Sequence, residues 1–194
     1  MTEATVPIRL LGISGSLRRH SYCTAILRTL GQTVAESATL EIFDLSSIPP
    51  YNEDEEGENL PQAVLDLRQA VEKCDGVVLA SPEFNHGMPG VLKNALDWAS
   101  RPAYRSPFAD KPSLVLTASP AFTGGVRAQS QIAETLAAML AHVVAVPQVV
   151  IASVHEKVAD GRMTDPASLQ FLAVAIDALA DAIALRRLAR PAIA

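Results

Sequence analysis

The sequence lacks most of the features that mark specialised chemistry. Its 194 residues hold only two cysteines, Cys23 and Cys74. Their separation fits neither a metal site nor a disulfide framework, so the expected home is a reducing cytoplasm. The four histidines, at 20, 86, 142 and 155, show no ligand spacing, and no metal is expected. No basic run accompanies the formal net charge of -5, so the phosphates of a nucleic acid would find nothing to neutralise them. No unbroken apolar stretch reaches about 18 residues, which argues against a membrane span. Residues 1–7 lack the basic-then-apolar order of a signal peptide. The segment Gly12-Ile13-Ser14-Gly15 is not the Gly-x-Ser-x-Gly elbow of a serine hydrolase.

What is present suits one folded core. Hydrophobic residues make up 49% and charged residues 19%, so residues 1–194 read as a single domain. Five apolar, strand-like segments alternate with amphipathic, helix-like ones. The strands fall at residues 8–12, 39–44, 76–80, 113–117 and within 143–151, the last interrupted or bounded by Pro147. The helices fall at residues 22–36, 61–74, 91–100 and 126–141, with a final one opening at Asp165-Pro166. Residues 46–59 read as a surface loop with a solvated acidic face, and the basic tail from Leu185 is expected to fray. The alternation predicts an α/β three-layer sandwich around a parallel five-stranded sheet of order 2-1-3-4-5. In such a sheet, ligands bind beyond the C-terminal ends of the strands, where the loops after strands 1 and 3 are neighbours.

Those two loops have the most unusual composition in the chain. The first, Gly12 to Cys23, places Ser14, Ser16 and Ser21 beside Arg18 and Arg19 at the start of a helix. Hydroxyls, outward amides and a forked cation make a seat for an anion. The dinucleotide and P-loop glycine patterns are both missing, so the composition suits a monoester such as the phosphate of FMN. Similar turns also open α/β domains that bind nothing there. The second loop, Pro82-Glu83-Phe84-Asn85-His86-Gly87-Met88-Pro89-Gly90, is longer than a simple strand-to-helix connection. Stiff backbone amides beside an aromatic plate match the edge of a flat heterocycle such as a flavin, which carries its own redox chemistry. Asn85 can both donate and accept, whereas His86 has the ordinary reading of a solvated loop residue and Glu83 that of a cap on backbone amides. Cys23 and Trp98 read as packing residues, and Asp97 with Arg101 as a helix-surface pair.

At these positions the chain resembles the NADPH-dependent FMN reductase family of flavodoxin-like proteins, nearest the branch of quinone, chromate and azo-dye reductases. The matches are Gly15-Ser16-Leu17-Arg18-x-x-Ser21, Pro82-Glu83-Phe84-Asn85, and Pro89-Gly90-x-Leu92-Lys93-Asn94-Ala95-x-Asp97-Trp98-x-Ser100-Arg101. A looser one joins Ser119 to Gly124-Gly125-x-Arg127. The resemblance implies a flavodoxin-like fold and a cytoplasmic oxidoreductase. Electrons would pass from NADPH or NADH through bound FMN to a quinone, flavin, azo dye or metal oxyanion by a ping-pong mechanism. It assigns the FMN phosphate to the loop carrying Ser14, Ser16, Arg18, Ser21, Tyr22 and Cys23, and the ring to Pro82, Glu83, Phe84, Asn85, His86 and Gly87, with Ser119 a further contact. No protein side chain is expected as catalytic, Asn85 and His86 serving at most to orient. Homodimers or homotetramers are implied as well. Cys23 stands where the family often has Asn, Phe84 where Tyr is common, and His86-Gly87 where an aromatic-Ser pair is usual. The rival from the residues themselves is a flavodoxin-like FMN-binding electron carrier without significant NAD(P)H turnover.

Overall fold

Alternate residues of each inner strand enter two different cores, which is why these segments are apolar throughout rather than alternating. In the computed structural model, which describes residues 7–34 and 38–189, strand β1 (Ile8–Ser14) sends Leu10 to one face and Leu11 and Ile13 to the other. Strands β3 (Gly76–Ser81) and β4 (Pro112–Ala118) are buried at every position. Strand β2 (Ala38–Phe43) lies at the edge and keeps exposed residues. The strands are parallel in the order β2-β1-β3-β4.

Helices cover both faces. Helix α1 (Tyr22–Thr33) and helix α6 (Pro166–Ala189) pack on one through Ile26, Leu27, Leu30, Leu172, Leu179 and Ile183. Helices α2 (Gln62–Lys73), α3 (Gly90–Ala99) and α4 (Val126–Ala138) pack on the other through Leu67, Leu92, Leu96 and Ile132. This is the flavodoxin-like sandwich expected. Among the described residues α6 is the one helix long and apolar enough to cross a membrane by length and composition, although one side of it is packed on the sheet.

The fifth sheet position is occupied twice. Both β5 (His142–Val143) and β6 (Val149–Ile151) pair with β4. Between them Pro147, which has no N–H to donate, stands in a segment outside the ladder. A short helix α5 (Val154–Lys157) and the two-residue strands β7 (Val158–Ala159) and β8 (Arg162–Met163) follow. They carry no periodicity long enough to read from sequence. The Met163 amide donates to Thr29 Oγ1 at 3.0 Å, tying this hairpin to α1.

Most boundaries fall within two residues of expectation, and three helix ends differ by more. Helix α1 closes at Thr33, with residues 35–37 outside the described ones. Helix α4 stops at Ala138 rather than 141, because Leu140 takes a left-handed φ of 61°. Its amide then donates to Ala137 O and that of Ala141 to Leu136 O, both at 3.0 Å, the Schellman closure. The tail does not fray at Leu185: α6 runs to Ala189, with Arg186 3.2 Å from Asp110 and Arg187 3.1 Å from Asp75. Residues 190–194 lie outside the described ones.

Candidate functional site

The loops after β1, β3 and β4 emerge along one edge of the sheet. Ser14 pairs with Ala80 and Ser81 with Thr117 in the ladder. The first two loops touch, since the Gly15 amide donates to Ala80 O at 2.8 Å. A Cβ on Gly15 would stand 2.7 Å from Ser81 Oγ, so only glycine allows that approach.

In the first loop most hydroxyls are spent on shaping the loop itself. Ser14 Oγ accepts from the Thr24 hydroxyl at 3.0 Å and from the Ser16 amide at 3.3 Å. Ser21 caps α1, its Oγ accepting from the Thr24 amide at 3.2 Å and its carbonyl from the Ala25 amide at 3.0 Å. The first-turn amides left over are those of Tyr22 and Cys23. The Arg18 guanidinium lies 4.7 Å from the centre of the Tyr22 ring, the side chain of the helix's first residue. Cys23 turns its thiol into the core, and burial pushes its pKa up to about 12 against a weaker opposing pull from Arg18. It can therefore meet a ligand only through its backbone. Two free amides, an arginine and the Ser16 hydroxyl form a donor set that fits a phosphate monoester.

The second loop is a tight hairpin. Phe84 and Gly87 exchange two N–H···O bonds of 3.0 Å each. Asn85 and His86 sit at its tip with φ of 50° and 65°, the signature of a type I′ turn. Both side chains are exposed. Glu83 turns the other way. Its Oε2 accepts from the amides of Arg127 at 2.9 Å and Ala128 at 3.1 Å, capping α4, whose N-cap Gly125 has no side chain to offer. Its Oε1 stands 3.7 Å from His86 Nδ1, which also contacts the Arg127 guanidinium. The Met88 amide donates to Gln131 Oε1 at 2.6 Å, so the loop is clamped to α4 at two points. Pro82 contributes its carbonyl to the Ser81 hydroxyl at 2.8 Å. In the third loop Ser119 Oγ accepts from the Ala121 amide at 3.1 Å.

Each loop exposes one large apolar side chain: Leu17 at 53%, Phe84 at 59% and Phe122 at 90%. Apolar plates beside rigid amides, with an anion seat at one side, suit a flat ring carrying a phosphate. The residues named from sequence in loops one to three thus share one sheet edge. Sequence reasoning missed Thr24, which braces Ser14, and Arg28, four residues on along α1, which borders the cleft beside the first loop. The helical i, i+4 spacing from a recognisable N-cap was the available signal. Arg127, part of the looser motif, gives its amide to Glu83 and its guanidinium to His86, contacts that the motif alone does not show.

The third motif serves a different end. Asn94 accepts from the Tyr51 amide at 2.7 Å and donates to Pro49 O at 2.8 Å, and Trp98 Nε1 donates to the same carbonyl at 2.9 Å. Both residues hold the 46–59 segment against α3. The expected Asp97–Arg101 pair does not form: Asp97 accepts from Lys93 Nζ at 2.6 Å, and Arg101 stands 3.3 Å from Glu56. The acidic face is therefore partly engaged, Tyr51 also donating to Glu56 at 2.5 Å.

Comparison with known proteins agrees with this architecture. The profile described as NADPH-dependent FMN reductase matches residues 8–156. An NAD(P)H-dependent FMN reductase of Pseudomonas aeruginosa is 40% identical over 173 residues, 89% of this chain and 93% of that one. A quinone reductase of Escherichia coli strain K12 is 32% identical, across 85% of this chain and 89% of its own. The solved structure of FerB, a flavoenzyme NAD(P)H:(acceptor) oxidoreductase from Paracoccus denitrificans, superposes with a TM-score of 0.80 at 30% identity, covering 91% of this chain and 97% of that one. The chain belongs to the NADPH-dependent FMN reductase family, oxidoreductases that use FMN with NAD(P)H as the electron donor.

Proposed function

We propose that this chain works as a single cytoplasmic FMN-binding domain, in a homodimer or homotetramer. In it, electrons from NAD(P)H pass through bound FMN to a quinone or similar small acceptor, and donor and acceptor use the same open face in turn. The observation that carries this reading is the sheet edge itself, where an anion seat with two unspent helix amides adjoins three exposed apolar side chains. FMN, when bound, supplies the hydride-accepting ring. The Tyr22 and Cys23 amides, Ser16 and Arg18 hold its phosphate. Phe84 and the amides of the Phe84–Gly87 turn border the ring, with Asn85 and His86 at the mouth orienting what enters. Leu17 and Phe122 keep the approach apolar and limit water, so catalysis rests on holding two flat reactants in contact.

The test is a fluorescence titration with FMN followed by rapid-mixing reduction with NADPH. The protein should bind FMN and the bound flavin should bleach on mixing. Steady-state velocities with a quinone should give parallel double-reciprocal lines. Arg18→Ala should weaken FMN binding by about 1.5–3 kcal/mol, the worth of a charged hydrogen bond, with the fold retained. Absence of FMN binding by the parent protein overturns the reading, and bleaching without turnover would leave an electron carrier.

A further inference from the structure

We propose that His86 gives the electron acceptor its proton, while Glu83 and Arg127 fix the imidazole at the mouth of the site and set which ring nitrogen carries hydrogen. The inference deepens the FMN reading above and rests on it. Reduction of a quinone to a hydroquinone takes one hydride and one proton. NAD(P)H, by way of the cofactor, supplies the hydride with its two electrons, so the proton comes from elsewhere. Most donors on the three loops are hydroxyls and amides, which keep their protons at neutral pH. Glu83 Oε2 is spent on the Arg127 and Ala128 amides at 2.9 and 3.1 Å, and the Cys23 thiol is buried in the core. His20 stands on the first loop, at the anion seat. His86 is the imidazole of the loop that borders the ring, and imidazole is the side chain whose ordinary charge change falls between about pH 5 and 8.

The surroundings of this ring accommodate both of its charge states. His86 sits at the tip of the Phe84–Gly87 turn with φ of 65°, its side chain 75% exposed. Its Nδ1 contacts the Arg127 guanidinium. A guanidinium only donates, so with this partner Nδ1 accepts and the neutral ring carries its hydrogen on Nε2. Glu83 Oε1 stands 3.7 Å from the same Nδ1 and faces the hydrogen that appears there when the ring is charged. The carboxylate favours the imidazolium and the guanidinium disfavours it. Both are anchored, Glu83 as the cap of α4 and Arg127 in that helix's first turn. The third loop, residues 119–125, adds no charged side chain. In both charge states Nε2, across the ring from Nδ1, keeps an N–H to donate. As the hydride reaches the quinone and negative charge develops on its oxygen, the Nε2–H bond of the imidazolium breaks and an O–H bond forms. The neutral ring, its remaining hydrogen on Nδ1 toward Glu83, recovers a proton from water.

The experiment compares the parent with His86→Asn, since asparagine accepts the left-handed backbone and keeps a donor but has no proton to release. FMN-loaded protein, reduced with NADPH, is mixed rapidly with benzoquinone or with ferricyanide, which takes electrons without a proton. The ratio of the benzoquinone rate to the ferricyanide rate should fall about a hundredfold in the variant, the low end for general acid catalysis. In the parent that ratio should decline as pH rises through the titration of the ring; in the variant it should stay flat. Nitrogen-15 NMR of flavin-free protein reads the ring itself. It should show hydrogen on Nε2 at alkaline pH, with the titration midpoint moved up in Arg127→Met and down in Glu83→Gln. A ratio that does not change overturns the proton transfer, and if both rates fall together His86 is structural. A midpoint that neither substitution moves overturns the part given to Glu83 and Arg127. Failure of the parent to bind FMN would strike the functional reading instead, and the ring titration then decides the hold of Glu83 and Arg127 on its own.

Discussion

The two edges of the sheet use cations in opposite ways. At the edge where strands begin, positive charges are satisfied by the protein itself. Arg9 and Arg187 share Asp75 at 3.6 and 3.1 Å, and Arg186 meets Asp110 at 3.2 Å. Lys111 is buried, donating to Glu72 O at 3.2 Å and Cys74 O at 2.5 Å at the end of α2. At the edge where strands end, Arg18, Arg19 and Arg28 face a cleft instead. The parallel βαβ arrangement explains the division, because helix C-termini with their carbonyls gather at the first edge and helix N-termini with their amides at the second. A second contrast lies within the strand-end edge. Helix α4 already holds an anion of the chain's own, the Glu83 carboxylate, whereas α1 leaves its first amides open. Of these two helices, α1 is therefore the one whose first amides are open to a phosphate.

The largest effect should come from breaking the self-satisfied edge. Lys111→Met keeps the length of the side chain but strands the Glu72 and Cys74 carbonyls that it bonds. We expect a loss of about 3 kcal/mol in urea unfolding, the upper range for charged, buried hydrogen bonds. FMN affinity of the folded variant should not move. A variant that lost FMN affinity with its stability intact would show that the two edges are not functionally separate.

Emptying α4 tests the other contrast. Glu83→Ala removes the side-chain cap on that helix's first amides and should cost about 1–2 kcal/mol. Because Glu83 also fastens the Phe84–Gly87 turn to α4, FMN affinity should fall with it. Glu83→Gln, which can still accept from an amide, should recover much of both. Thermal unfolding and FMN titration on the two variants measure this; equal behaviour of Ala and Gln would remove the capping role.

Alternation of apolar runs with amphipathic segments made the sandwich readable, since both periodicities are set by the backbone. The first two loops stand out because their composition and the length of the second are unusual for simple connections. Side-chain direction was not. Nothing in the residue types shows that Ser14 spends its hydroxyl inside the loop, or that Lys93 rather than Arg101 takes Asp97. Those outcomes depend on which neighbour the fold brings within hydrogen-bond reach. Residues 154–163 escaped for another reason: a periodicity read over a window of about 11–18 residues cannot arise from one four-residue helix and two two-residue strands.

The smallest effect should sharpen the comparison by improving the strand-start edge without touching the other. Leu140 closes α4 in the left-handed region at φ 61°, a conformation that costs an L-residue roughly 1–2 kcal/mol and glycine almost nothing. Its side chain is half exposed and its carbonyl accepts from the Asp110 amide at 2.8 Å, a bond any residue can keep. Relief of the strain is offset in part by the extra freedom of glycine in the unfolded chain. Leu140→Gly should therefore stabilise the protein by about 0.5–1 kcal/mol, read as a raised urea midpoint with an unchanged slope. FMN affinity and the KM for NADPH should be those of the parent, because the substitution lies at the opposite end of the sheet from every donor in the cleft. A lowered midpoint would mean that Leu140 contributes packing which outweighs its backbone strain.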